Sequence, residues 1–310
     1  MARFSEFFFD STTGEHRCYA LAALPEEAEI RGVVQIAHGI GEHIGRYREF
    51  MAYLADHGFA AVGNDHLGHG HTAEENGGRA EFVPHDGWDY VVGDLANLHD
   101  IMAEQFSHVP YILLGHSMGS FLARTYIADY PEKYDMAILS GTGHQAGLKL
   151  KLGCLVANCI VKLRGYGSDG KLLNKLTMGN YLKRIPNPRT PGDWISRDAE
   201  RVALFVADPM RNPVSKSGMY RDMLQGIRYV TDPDVMAVME QEKPVLFFSG
   251  SEDPVGEYGQ GVRRAYRAFR KAGLTDVTLK LYPGGRHEML NETNRQQVYE
   301  DVLKWIERRL

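Results

Sequence analysis

A four-residue apolar run, Tyr111–Leu114, passes directly into Gly115-His116-Ser117-Met118-Gly119. Helical spacing then spans Ser117–Tyr130 and stops at Pro131. No other feature constrains the fold as strongly. A strand that becomes a helix within five residues must bend sharply. Glycines two before and two after the serine remove the Cβ atoms that such a bend would press together. The strand itself is apolar without alternation, so it reads as buried on both faces of a parallel sheet.

The same strand–helix alternation recurs along the chain. Phe4–Asp10 and Arg17–Leu24 read as an N-terminal hairpin across a polar turn containing Gly14. Gly32–Ala37, Phe59–Asn64 and Met136–Ser140 read as strands, and Arg46–His57 and Trp88–Phe106 as amphipathic helices. The pattern resumes with strand Pro244–Ser249, helix Gly259–Ala272, strand Val277–Tyr282 and helix Arg295–Arg309. The expected class is α/β, a mostly parallel central sheet with helices on both faces. Between His144 and Glu240 the alternation fails, and prolines such as Pro186, Pro188, Pro191, Pro209 and Pro213 interrupt the chain. A single α/β core seldom exceeds ~250 residues, and this chain has 310. Residues 1–143 and 241–310 are therefore expected to form the core, with 144–240 inserted as a cap.

Composition narrows the function. Hydrophobic residues at 44% and charged residues at 24% exclude a disordered or fibrous chain. A net charge of −5 argues against nucleic acid as a partner. Three cysteines without a CxxC fit a reducing compartment, so a cytoplasmic location is expected. Met1–Asp10 lacks a basic segment followed by an apolar one, so no signal peptide is expected.

Ser117 is the candidate nucleophile. Serine at neutral pH needs a base, and in a sheet of this kind acid and base follow the nucleophile in that order. Only His144 and His287 come later in the chain. His287 lies in the glycine loop after the last strand and is the candidate base; His144 is out of order. The strand Met136–Ser140 is followed by Gly-Thr-Gly-His, which offers no carboxylate. Gly250-Ser251-Glu252-Asp253-Pro254 offers two. Asp253, shorter and set before a proline, is preferred to orient the imidazole, with Glu252 as the fallback. Oxyanion donors are expected from the Met118 amide and from the Ile40 amide in His38-Gly39-Ile40-Gly41. His66, His69 and His71 with Asp65 lack the spacing of a metallohydrolase, so no metal and no cofactor are expected.

Three strings now stand together: His38-Gly-Ile-Gly-Glu-His-Ile-Gly-Arg-Tyr47, Asn64-Asp-His-Leu-Gly-His-Gly70 and Gly115-His-Ser-Met-Gly119. The chain resembles the monoacylglycerol lipase and lysophospholipase group of the α/β-hydrolase superfamily, the serine aminopeptidase S33-like hydrolases. Gly250-Ser-Glu-Asp253 and Arg286-His-Glu288 match that group's acid and base loops. The resemblance implies hydrolysis of acyl-glycerol-type esters by a serine triad under a mobile cap, with no cofactor. Ser120 departs from it, standing where the group usually has a second glycine; a small residue should still pack. A short-chain carboxylesterase or a serine aminopeptidase on the same fold remains open, because fold does not fix substrate.

The cap is the least similar part. From His144 to Thr190 nine basic residues face one acid, Asp169, and Leu148–Leu163 is leucine-rich. Lysines at 149, 151 and 162 make that run too charged to span a bilayer. Two readings stay open: a cap helix packed on its own core, or peripheral contact with an anionic lipid surface.

Overall fold

The computed structural model describes residues 2–26, 29–145 and 147–310; Met1, Glu27, Ala28 and Ala146 lie outside the described residues. The N-terminal hairpin forms as expected, from β1 (Ala2–Asp10) and β2 (Arg17–Pro25), paired antiparallel. There follow β3 (Gly32–Ala37), α1 (Arg48–Asp56), β4 (Phe59–Asn64), α2 (Gly70–Asn76), α3 (Gly87–Gln105), β5 (Tyr111–His116), α4 (Met118–Asp129) and β6 (Met136–Ser140). The chain ends with β7 (Val245–Gly250), α10 (Gln260–Ala272), β8 (Val277–Tyr282) and α11 (Arg295–Glu307). Two details differ from the sequence reading. The helix expected to start at Arg46 opens instead as a tight turn, Ile44–Tyr47, and becomes α-helical at Arg48. The short helix α2 was not anticipated: seven residues with two buried polar or small side chains carry no apolar repeat.

The strands form one eight-stranded sheet in the order β1-β2-β4-β3-β5-β6-β7-β8. From β4 to β8 every pairing is parallel; the pairings of β2 with β1 and with β4 are antiparallel. The central strands are buried throughout, and successive side chains point to opposite faces. Val33, Leu113 and Phe247 join one cluster with α3, α4 and α10. Val34, Ile112, Leu114 and Phe248 join the other with α1 and α11. Each such side chain contributes about 1.5–3 kcal/mol by leaving water. This is the mostly parallel α/β sheet, helix-covered on both faces, that the alternation called for.

Between β6 and β7 lie α5 (Leu148–Arg164), α6 (Lys171–Met178), α7 (Ala199–Ala207), α8 (Ser217–Val230) and α9 (Pro233–Ala237). They are unlike one another. α8 buries Met219, Tyr220, Met223, Ile227 and Val230 in the first cluster, against α4. α5 packs on α8 through Leu150, Cys154 and Ala157, and leaves its other leucines exposed. Among the described residues no helix is long and apolar enough to cross a membrane.

Candidate active site

The sheet topology brings the candidate residues together. β3 and β5 lie side by side, with Ala37 opposite Gly115, although the chain visits β4 between them. Strand order reverses here, and open α/β sheets bind ligands at such a point, beyond the strands' carboxyl ends. The loop holding Ile40 leaves β3, Ser117 follows β5, Asp253 follows β7 and His287 follows β8.

Ser117 sits at φ +53° and ψ −120°, a left-handed conformation that costs a non-glycine residue energy. The glycines show why the turn tolerates little else. A Cβ on Gly115 would press on the carbonyl of Gly119, and one on Gly119 on the carbonyl of Ala37. The Ser117 amide donates to the Ser140 carbonyl at 2.9 Å, anchoring the turn to β6. Ser120 is fully buried, and its hydroxyl donates back to the Ser117 carbonyl at 2.6 Å.

His287 Nδ1 lies 3.0 Å from Asp253 Oδ1, and both side chains are buried. Asp253 also accepts from the Val255 amide at 2.9 Å and the Ser249 hydroxyl at 2.8 Å. Burial pushes the Asp253 carboxyl up, but His287 and these donors outweigh it, and its pKa falls below the usual carboxylate value. For His287 burial pushes down, while Asp253, Glu288 and Glu42 pull up; the net shift is upward. Glu252 is exposed and makes no bond to His287. His144 lies away from this pair, beside Arg124 and Arg264. The Ser117 hydroxyl is not hydrogen-bonded to His287 in this arrangement; contacts of this type tighten when substrate binds.

Of the two amides expected to face an oxyanion, Met118 follows Ser117 directly and Ile40 follows Gly39, which lies against Ser117. Met118 is the first residue of α4, so its N–H has no carbonyl within the helix. Gly39 lies so close that a Cβ there would be 3.1 Å from that of Ser117. Its amide is taken by Glu42 Oε1 at 2.6 Å. Among the described residues the next amide, Ile40, has no acceptor.

Glu42 belongs to a buried ion network that the sequence reading left without a role. Arg46 bonds Glu42 at 2.5 Å and Glu288 through two 2.7 Å contacts, and Tyr47 donates to Glu42 at 2.8 Å. The network ties the loop after β3 to the loop that carries His287. The Glu42–Arg46 spacing of four residues was its only sequence signal.

The histidines near Asp65 serve the loops. His38, His66 and His69 are fully buried and pack together, with ring centroids 4.0 Å apart for the first two and His69 edge-on to His38 at 5.1 Å. Burial drives His66 down to about 3 and His69 to about 4, so both are neutral. Asp65 accepts the amides of Ile44 and His71 at 2.7 and 2.8 Å. Among the described residues no group of three or more side chains is arranged to hold a metal.

The insertion also reaches the site. Arg286 donates to the carbonyls of Asp193 and Ser196, and the Glu288 amide to that of Ile195 at 2.7 Å. Buried Glu292 accepts from the Arg286 amide and from the Arg197 amide and guanidinium, each at 3.0 Å. His43 meets Asp208 at 2.8 Å, and the Asn212 amide donates to Gly41 at 3.1 Å. Sequence periodicity gives no hint of this strap, because 193–212 is a run of irregular turns and one short helix.

Known proteins are similar to this chain in sequence and in fold. The chain is 31% identical to the monoacylglycerol lipase of Mycolicibacterium smegmatis, over 90% of this chain and 89% of that one. It is 25% identical to the human monoglyceride lipase, over 90% of this chain and 83% of that one. Among solved structures, a thermostable carboxyl esterase from Bacillus coagulans in complex with glycerol superposes with a TM-score of 0.91. It shares 32% identity, over 99% of this chain and 98% of that one. Residues 28–294 match the serine aminopeptidase S33 family, and the chain belongs to that family of α/β hydrolases.

Proposed function

We propose that this hydrolase cleaves carboxylic esters of lipid type, monoacylglycerols or lysophospholipids, through an acyl-enzyme on Ser117. The observation that carries the reading is the buried His287–Asp253 pair, packed beside the strained turn at Ser117 through the His116 ring, 4.7 Å from that of His287. Ser117 attacks the ester carbonyl and His287 takes its proton, then returns it to the leaving alcohol. Asp253 holds the imidazole and stabilises its charged form, and the amides of Ile40 and Met118 bind the oxyanion. Water then attacks the acyl-enzyme by the same route and releases the acid. The chemistry uses no cofactor.

Residues 144–240 act as the cap over this core, and α8 is its anchored end. The exposed leucines of α5, flanked by Lys149, Lys151 and Lys162, support peripheral contact with an anionic lipid surface. Cys18, Cys154 and Cys159 are free thiols, which fits a reducing compartment and supports a cytoplasmic placement. The relatives' names support the lipid substrate, and the glycerol complex of the Bacillus coagulans esterase supports a glycerol-type alcohol. A second reading, a short-chain carboxylesterase, draws on that same esterase.

Ser117→Ala should lower kcat by ~10³-fold or more with the fold intact. A fluorophosphonate should label the wild type and not this variant. Turnover retained by pure Ser117→Ala protein refutes the assignment. Rates across monoacylglycerols, lysophospholipids, p-nitrophenyl esters of rising chain length and an amino-acid anilide separate lipase, esterase and peptidase.

A further inference from the structure

The imidazole of His287 packs against two aromatic rings. His116, the residue before Ser117, lies at a centroid distance of 4.7 Å with 47° between planes. Trp194, from the stretch between β6 and β7, lies at 5.0 Å with 37° between planes. Tyr181 backs Trp194 at 4.8 Å. His287 is left 2% exposed. With Nδ1 held by Asp253, the Nε2 edge is the part of the ring left for Ser117. Trp194 has little freedom: the residues on either side of it are bonded by Arg286 and Glu288, the neighbours of His287 in its own loop.

We propose that Trp194 is a positioning residue for His287, fixing the imidazole plane and laying an indole π face on the imidazolium that forms when the ring takes the Ser117 proton. This rests on the reading of His287 as the base. An aromatic face attracts a cation within about 6 Å of its centroid, most strongly where water is excluded. The neutral ring gains less than the charged one, so the contact favours the transition state over the ground state. His116 is the weaker neighbour: an indole attracts a cation most strongly among the aromatic side chains, and the His116 Nδ1 is engaged with the Ser140 hydroxyl at 3.2 Å.

The test places mono-, di- and trifluorinated tryptophans at position 194 alone. Fluorine drains the π face while nearly keeping its shape. The kcat for a soluble p-nitrophenyl ester should fall stepwise, about ten-fold across the series, with KM little changed. The acid limb of the kcat/KM profile should move to lower pH, because the imidazolium loses a stabilising neighbour while Asp253, Glu288, Glu42 and His116 still face the ring. Trp194→Phe should keep most of the activity, and Trp194→Leu should lose what the trifluoro variant loses. A flat fluorine series, or wild-type kcat in a folded Trp194→Leu, overturns the proposal. If Trp194→Leu does not fold, the fluorine series decides. Ser117→Ala and His287→Ala run alongside: activity in either overturns the reading of the site itself, whereas inactive controls with a flat series overturn the role of Trp194 alone.

Discussion

Two stretches of the chain between β6 and β7 behave oppositely. The stretch of α5 and α6 is regular helix, yet Leu148 and Leu163 are 72% and 83% exposed and the helices carry lysines along their length. The stretch 193–212 is irregular, yet it is bonded to the loops after β3 and β8 at Asp193, Ser196, Arg197, Asp208 and Asn212. Regular secondary structure and structural integration are therefore separate properties. The irregular stretch is an extension of the loops after β3 and β8, bonded to the residues on either side of His287 and to the Gly39–Gly41 turn. The regular stretch is a surface, free to meet something apolar. Side chains can vary in the second without disturbing geometry in the first.

The largest expected effect comes from acid, and it separates the loops from the helical stretch. His69 and His116 are buried with pKa values of about 4, and His66 of about 3. Unfolded, each returns to about 6.5. Between these values the unfolded chain binds more protons than the native one, so stability falls as pH falls. Each of the two at about 4 removes roughly 3 kcal/mol by pH 4, against a total stability of about 5–15 kcal/mol. Urea unfolding should show a steep loss of stability from about pH 6 downward. α5 and α6 contain no histidine and should lose structure only with the global transition. An unchanged urea midpoint between pH 7 and pH 5 contradicts this account of the buried histidines.

The next effect tests the strap. Glu292 is fully buried and gathers the Arg286 amide, the Arg197 amide and the Arg197 guanidinium. Glu292→Gln keeps the shape and weakens three charge-assisted bonds. A loss of about 2–3 kcal/mol is expected, seen as a lower Tm, with kcat falling because the His287 loop is held less firmly. If Tm drops and kcat for a soluble ester does not, the strap supports the fold and not the site.

Much of this was legible in the sequence, and the limits have a physical cause. The strands and their flanking helices announce themselves because burial on two faces demands apolar runs and helical stripes. Ser117 is legible because what bends the chain there, Gly115 and Gly119, is local. Asp253 and His287 follow from chain order, since each strand end in a parallel sheet opens toward one crevice. The strap is not legible. Its bonds join residues 90 or more positions apart, and no local pattern encodes Arg286 donating to Asp193 or Arg197 meeting Glu292. The same holds for Arg46 and Glu288, which are 242 positions apart. The leucine-rich stretch shows the converse: a pattern that is easy to read as core and is in large part exposed.

The smallest effect concerns that stretch and is the most selective. Leu152, Leu155 and Leu163 are 51%, 59% and 83% exposed. Replacing all three with serine removes little buried contact, so stability should change by no more than about 0.5 kcal/mol per site. Hydrolysis of a soluble short-chain ester should stay at the wild-type rate, because no bond of the strap is touched. Hydrolysis of a long-chain monoacylglycerol presented in anionic vesicles should fall about tenfold or more, since each buried CH₂ contributes about 0.8 kcal/mol to membrane attachment. Reversing Lys149, Lys151 and Lys162 to glutamate should produce a smaller loss that added salt abolishes, as screening removes the attraction to anionic headgroups in the wild type as well. Equal losses on the soluble and the vesicle substrate would tie α5 to the chemistry and erase the distinction between the two stretches. A loss confined to vesicles assigns the exposed face of α5 to the lipid and leaves 193–212 to the reaction.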